Sequence, residues 1–397
     1  MYNVKTGLEQ FIKSPPEWIK NSSLGLVCNP ASTDRQFNHA RELINQRFPG
    51  QLKALYSPQH GFFAEKQDNM IESSDMFDPV LNIPVFSLYG KTRKPDNKML
   101  DLVDILIIDL QDAGTRVYTF IYTMSYCLEA AKELNKKVII LDRPNPVNGI
   151  RVEGNCLCRS LKSFVGRYPI PMRHGLTIGE LARLFNDYYE IGCNLHVVPM
   201  SCWKRSMYFY DTGLPWIPPS PNLPVPVSSM VYPGQVIWEG TNISEARGTT
   251  QPFEVFGAPF IDTREIIEYL ETNTKNKQEI TPGIILRPVI FEPTSNKWSG
   301  QSCRGFQIHI IDPDKYQPYL TSLRLLQAVI NLYKEEFKWK NPPYEYEYEK
   351  LPIDLIIGNK KIRQALEAGE NINNIEASWQ DELDKYRKMI HKFYLYN

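Results

Sequence analysis

Short apolar runs, each broken off by a cluster of polar residues, set the terms on which this chain can fold. The most informative is Asp104-Ile-Leu-Ile-Ile-Asp109-Leu-Gln-Asp112-Ala-Gly-Thr-Arg116-Val-Tyr118-Thr-Phe. A near-continuous apolar run of this length suits a strand buried on both faces, as in the interior of a parallel sheet. It gives way within about ten residues to acid, amide, cation and phenol, and over 119–134 the apolar spacing becomes helical. The same succession recurs at 23–28, ending in Asn29-Pro-Ala-Ser32, and at 52–56, ending in Ser57-Pro-Gln59-His60-Gly. It recurs again at 84–89, ending in Gly90-Lys-Thr-Arg93, and at 137–141, ending in Asp142-Arg143-Pro-Asn145. Strands alternating with helices predict right-handed crossovers and a Rossmann-like, mostly parallel α/β sheet. All these strand ends then lie along one edge, where open α/β sheets bind ligands. Turn formers account for Asn, Pro, Gly and Asp there, but less readily for His60, Arg116, Tyr118 and Arg143. No Gly-rich phosphate loop follows the first run, so a dinucleotide is not expected.

Further helices are predicted over 33–48 and 176–191, and a strand over 195–200. Residues 216–257 are loop-rich yet carry Trp216, Asn222, Trp238, Glu239 and Arg247. A long segment of that kind predicts an ordered functional loop. From 258 a second, smaller α/β region is predicted, with a helix near 263–272, strands near 285–292 and 303–311, and a helix over 318–337. The expected division is therefore a domain of 1–257 that carries most site loops and a domain of 258–397 that closes the cleft. The tract Tyr344-Glu-Tyr-Glu-Tyr-Glu349 reads as a surface strand or extended arm with no chemistry of its own.

Charge narrows the function classes. With 45 basic and 45 acidic residues the chain is formally neutral, which argues against nucleic acid or an anionic membrane as the main partner. No run of about 18 apolar residues occurs, so no membrane span is expected. The first ten residues lack an apolar signal core, and the seven scattered cysteines read as free thiols. A cytoplasmic location follows as an expectation. Neither the cysteines nor the histidines have metal-ligand spacing, so no metal is expected.

The loops assemble into an ordered set of motifs: Ser57-Pro-Gln59-His60-Gly, Asp109-Leu-Gln-Asp112-Ala-Gly-Thr-Arg116-Val-Tyr118-Thr, Leu141-Asp142-Arg143-Pro-Asn145-Pro, Arg173-His174-Gly, Pro219-Ser-Pro-Asn222, Glu239-Gly-Thr-Asn242 and Arg247-Gly-Thr-Thr250. In this order they resemble the exo-β-N-acetylmuramidase family, formerly a domain of unknown function, from about residue 24 to 261 and more weakly beyond. The resemblance implies a Rossmann-like domain joined to a smaller α/β domain across a cleft. It implies hydrolysis of terminal β-linked N-acetylmuramic acid from peptidoglycan fragments, with a small saccharide as partner and no cofactor. Two departures stand out. The family usually has Glu where this chain has Gln59, and an amide cannot transfer a proton as a carboxylic acid does. The family usually has Gly at Ala246, and a positive φ there would strain Ala by about 1–2 kcal/mol.

Glycoside hydrolysis needs an acid for the leaving oxygen and a second group for the anomeric carbon, which in some enzymes is the substrate's own acetamide. Asp112 and Glu239 are the candidate acids, Glu239 with a pKa raised by desolvation beside Trp238. Glu65 is a weaker substitute. Gln59 and His60 join them as catalytic candidates, His60 orienting Gln59 or binding a hydroxyl. Arg116, Arg143, Arg173 and Arg247 are candidates for the lactyl carboxylate of muramic acid. Asn29, Tyr118, Asp142, Asn145, His174 and Asn222 complete the candidate substrate-binding set. His60, Asp112, Arg143 and Glu239 are expected to converge on one sugar-sized hollow. Two alternatives stay open: a glycosidase of altered chemistry acting on another amino sugar, and a non-catalytic muropeptide-binding protein.

Overall fold

The computed structural model describes residues 3–273 and 280–397. The first strands are β1 (Leu24–Val27), β2 (Leu52–Ser57), β3 (Met76–Phe77), β4 (Pro84–Ser87), β5 (Ile105–Ile108) and β6 (Lys137–Leu141). The short pair β7 (Glu153–Cys156) and β8 (Pro171–Arg173) intervenes before β9 (Asn194–Val198). Seven of these form one sheet in the order β3-β4-β2-β1-β5-β6-β9, parallel throughout except for the antiparallel edge strand β3. Every residue of β1 and β5 is buried, as a strand covered by helices on both faces requires. The chain builds outward from β1 through β2 and β4, then crosses back to add β5, β6 and β9 on the other side. The switch point where a doubly wound sheet opens a crevice is therefore between the ends of β1 and β5.

The helix Phe120–Glu133 buries most of its length against this sheet. The helix predicted over 33–48 is confined to Ala40–Arg47. Ahead of it, Asp34 accepts the amide protons of Gln36 and Asn38, Thr33 bridges to His39, and the His39 side chain caps the first turn. Local side-chain bonds of this kind compete with helix formation. The helix over 176–191 is present as Ile178–Arg183, opened by a Thr177/Glu180 capping box and continued by a π turn over Leu184–Tyr188.

A three-stranded antiparallel sheet, β10 (Val255–Ala258), β12 (Cys303–Ile310) and β11 (Ile284–Phe291), forms the second region. The helices Thr263–Asn273 and Pro318–Leu332 accompany it. The expected 257/258 division falls inside β10. The long helix Ile372–Ile390 brings the chain back to the first region, where the Tyr386 hydroxyl donates to the His174 carbonyl at 3.0 Å. Nearby, the Tyr396 hydroxyl donates to Asp142 at 2.5 Å. Among the described residues no helix is long and apolar enough to cross a membrane.

The Tyr-Glu tract is not a surface strand. Asn341-Pro342-Pro343 turns the chain inward, Tyr344 and Glu345 are buried, and Tyr344 bridges back to Glu347 in a tight turn. Turn chemistry, rather than the two-residue alternation, decided this segment.

Candidate active site

Beyond the ends of β2 and β5 a pocket is lined by Gln59, His60, Asn69, Tyr118, Thr119, Asn222, Tyr232, Glu239, Arg247, Phe253, Tyr344 and Glu345. It lies to the β2 side of the switch point and draws on both regions of the chain. Its centre is a relay of buried side chains. The Thr119 hydroxyl donates to Gln59 Oε1 at 2.6 Å, and Gln59 Nε2 donates to Glu345 Oε1 at 3.0 Å. The Tyr89 hydroxyl donates to Glu345 Oε2 at 2.6 Å. Across the pocket Glu239 accepts from Arg247 Nη2 at 2.6 Å, from the Tyr344 hydroxyl at 2.6 Å and from Asn69 Nδ2 at 3.1 Å. Arg247 also approaches Glu245 at 3.3 Å, which pairs in turn with Lys297 at 2.7 Å.

The two carboxylates sit in opposite electrostatic states. Burial pushes the Glu239 carboxyl up, but the Arg247 guanidinium and the Tyr344 hydroxyl outweigh it and hold the group below the usual glutamate range. This reverses the expectation that desolvation beside Trp238 would raise it. The Trp238 ring stacks on Phe256 at 4.9 Å instead, and its indole N–H goes to Gln235. Glu345 is raised: burial dominates, the Glu239 charge adds to it, and the bonds from Tyr89 and Gln59 only partly offset it. Burial also pulls His60 down to about 4, so its imidazole is neutral at pH 7. Its Nδ1 lies 2.7 Å from the Lys66 carbonyl, which fixes the ring. A carboxylate kept ionised and a carboxyl pushed toward its protonated form, in one pocket, can divide acid and base work between them.

The backbone here is held in conformations that side chains rarely adopt. His60, Ala246, Phe253 and Glu345 have φ of 77°, 60°, 63° and 46°. Such residues persist where the surrounding structure over-determines them, and they cluster at functional sites. The cavity itself encloses about 30 Å³, far below the roughly 300 Å³ of small ligand sites. It is held shut by the segment after His60. Asn222 Nδ2 donates to the Gln67 carbonyl at 3.0 Å, Asn69 reaches Glu239, and the Met70 amide donates to Tyr89 at 3.0 Å.

The expected residues divide sharply. Gln59, His60, Tyr118, Asn222, Glu239 and Arg247 line the pocket. His60 and Glu239 therefore meet there, whereas Asp112 and Arg143 do not join them. Arg143 fills the switch point, paired with Asp109 at 2.5 and 2.8 Å and donating to the Thr33 carbonyl at 3.0 Å. It faces a separate hollow beside Trp216. Asn29 bonds the Pro219 carbonyl and the Ala31 amide in the same crevice. Asp112 caps the Gly114 amide at 2.8 Å and lies 3.1 Å from His174 Nε2, both side chains buried. Arg116 is fully buried and donates to the carbonyls of Asn155, Ile170, Ile356 and Ile357. Asp142 anchors the Ile178–Arg183 helix through Thr177 at 2.8 Å and the Gly179 amide at 2.7 Å. Asn145 ties Leu176 to Val147. Arg173 donates to the Val147 carbonyl and lines a different cavity with Glu153 and Trp379. Glu65 is exposed. Glu65 apart, these side chains are engaged with the backbone and side chains of neighbouring loops, which spacing along the chain does not reveal. Sequence reasoning missed Glu345, Tyr344, Tyr89 and Asn69. The Pro342-Pro343 turn ahead of Tyr344 is the signal that could have found Glu345.

Residues 24–227 match the N-terminal model of the exo-β-N-acetylmuramidase NamZ family, and residues 230–396 match its C-terminal model. The chain belongs to the NamZ family. It is 41% identical over 393 residues to the peptidoglycan β-N-acetylmuramidase NamZ of Bacillus subtilis (strain 168), covering 99% of this chain and 91% of that protein. A crystal structure of a DUF1343 family protein from Bacteroides fragilis superposes with a TM-score of 0.87 at 33% identity, with all of both chains covered. A second DUF1343 family protein from that organism gives 0.76 at 27% identity, covering 100% of this chain and 99% of that one. Fold and family thus agree with the resemblance carried by the NamZ motifs.

Proposed function

We propose that this chain is an exo-acting glycoside hydrolase that releases terminal β-linked N-acetylmuramic acid from peptidoglycan fragments. The observation that carries the reading is the Glu239–Arg247 pair inside the pocket, in a chain of the NamZ family. Glycoside cleavage develops positive charge at the anomeric carbon, and an ionised Glu239 supplies the opposing charge. Of the four arginines considered for the lactyl carboxylate, Arg247 lines this pocket. The substrate's acetamide serves as the internal nucleophile, with Glu239 stabilising the charge that results. Tyr118 forms part of the sugar-packing wall and His60, as a neutral imidazole, contacts a hydroxyl. Residues 1–257 supply most of the site loops, and 258–397 contributes Tyr344 and Glu345 from the opposite side. Saccharide entry displaces the segment around Gln67–Asn69, because the closed cavity is too small for a sugar. The saccharide is the partner, no cofactor takes part, and the enzyme works in the cytoplasm. The test is release of N-acetylmuramic acid from a chromogenic β-muramide. Turnover abolished in Glu239→Gln supports the reading, and wild-type protein that leaves the muramide intact refutes it.

Gln59 favours a second reading, a muropeptide binder that does no chemistry. Saturable muropeptide binding without turnover, together with turnover gained in Gln59→Glu, identifies that case.

A further inference from the structure

The hydrolase reading leaves the proton donor unassigned. Gln59 is an amide, Asp112 lies outside the pocket, and Glu239 is held ionised by Arg247. From the geometry we infer that Glu345, presented by the Tyr344–Glu347 turn and held between Gln59 and Tyr89, is the general acid of this enzyme. The inference rests on the hydrolase reading and names the group that completes it.

Three observations converge on Glu345. It lines the pocket, is 4% exposed, and has each carboxyl oxygen fixed by a separate donor, Gln59 Nε2 at 3.0 Å and the Tyr89 hydroxyl at 2.6 Å. The donors come from loops after β2 and β4, so the sheet edge itself aims the group. Its backbone sits at φ 46°, a conformation that costs free energy in a residue with a side chain. The groups facing it do not supply a buried ion pair. Glu239 repels its charge, the phenols of Tyr89, Tyr232, Tyr344 and Tyr346 stay neutral, and Arg93 acts on it without a direct bond, its guanidinium stacked 3.7 Å from the Tyr346 ring. Burial therefore favours the carboxylic acid, the form that donates.

The bond from the anomeric carbon to the aglycone oxygen breaks, its electron pair stays with that oxygen, and the oxygen takes the Glu345 proton. The substrate's acetamide oxygen forms the new bond to the anomeric carbon. A water then attacks the same carbon and gives a proton to the Glu345 carboxylate, while the bond from that carbon to the acetamide oxygen breaks and its electron pair restores the acetamide. Gln59 acts here as a positioning residue.

The test compares two aglycones in full-length protein. From a 4-nitrophenyl β-muramide the nitrophenolate leaves without much help from an acid, whereas a β-1,4-linked N-acetylglucosamine needs its leaving oxygen protonated. Glu345→Gln is expected to lose roughly 10²–10⁴-fold in kcat/KM on the disaccharide, less than 10-fold on the nitrophenyl substrate, and the alkaline limb of the pH profile. Equal losses on both substrates, or an alkaline limb kept in the variant, overturn the assignment. Tyr89→Phe guards against misfolding of the first variant. Removing its hydrogen bond raises the Glu345 pKa, so the alkaline limb moves to higher pH, and an unmoved limb also overturns the assignment. Wild-type protein inactive on both substrates defeats the hydrolase reading itself, whereas wild-type turnover with an unaffected Glu345→Gln defeats only this proposal.

Discussion

Ala246 carries a methyl group where the backbone turns left-handed, at φ 60° and fully buried, immediately before the arginine that holds Glu239. The strain foreseen from the family's usual Gly is thus present in the fold. Ala246→Gly is expected to raise stability by about 0.5–1 kcal/mol, read as a higher urea midpoint with an unchanged slope. Glu239 has the opposite character. Replacing it with Gln breaks a buried ion pair, at a cost of about 3–5 kcal/mol near pH 7. Its folded pKa is depressed, so its contribution is present above the unfolded glutamate value and is lost as pH falls through the folded one. Unfolding measured from pH 7 downward should therefore show wild type and Glu239→Gln converging at acid pH.

At the scale of elements, the loop after β5 is a scaffold with one functional end. Arg116 joins the carbonyls of Asn155 and Ile170 to those of Ile356 and Ile357, at the C-terminal end of the helix Pro352–Ile357. A cation there also meets the negative end of the helix dipole. Gly358 closes that helix at φ 73°, and a Cβ on it would stand 2.8 Å from Arg116 Nη2. Arg116→Met should cost about 3–5 kcal/mol through orphaned carbonyls, while the KM of the folded fraction stays unchanged. Thermal melts and steady-state kinetics on the same preparation separate these effects. The segment at Gln67–Met70 behaves as a strap. Asn222→Ala removes its bond to the Gln67 carbonyl and should cost about 1 kcal/mol of closure. Faster amide exchange confined to the segment after His60 is the expected signature.

At the scale of the molecule, the C-terminal segment is tied into the first region through β7 and the loops at the sheet edge. Asn155 donates to the Ile357 carbonyl and accepts from the Tyr319 hydroxyl, Tyr386 reaches His174, and Tyr396 reaches Asp142. Contacts of this number and burial bind the two regions into one unit. Calorimetry of the full chain is expected to give a single transition with equal calorimetric and van't Hoff enthalpies. Residues 1–257 expressed alone should lack a cooperative melt. Two well-separated transitions in the full chain would contradict this.

The main sheet strands, their mostly parallel packing and the crowding of polar loops at one sheet edge were legible from the sequence, because burial on both faces writes itself as an apolar run and a turn as its breaker, whereas the order of the strands across the sheet was not. His60, Glu239 and Arg247 were legible too, as chemistry-bearing side chains inside loops. Which loop side chains turn toward the pocket and which bind the backbone of a neighbouring loop depends on contacts between residues far apart in the chain. Tertiary structure alone consigned Arg116, Arg143 and Asp142 to the scaffold. It alone brought Glu345, from a tract that resembles an exposed strand, to within a hydrogen bond of Gln59, 286 residues away in the chain.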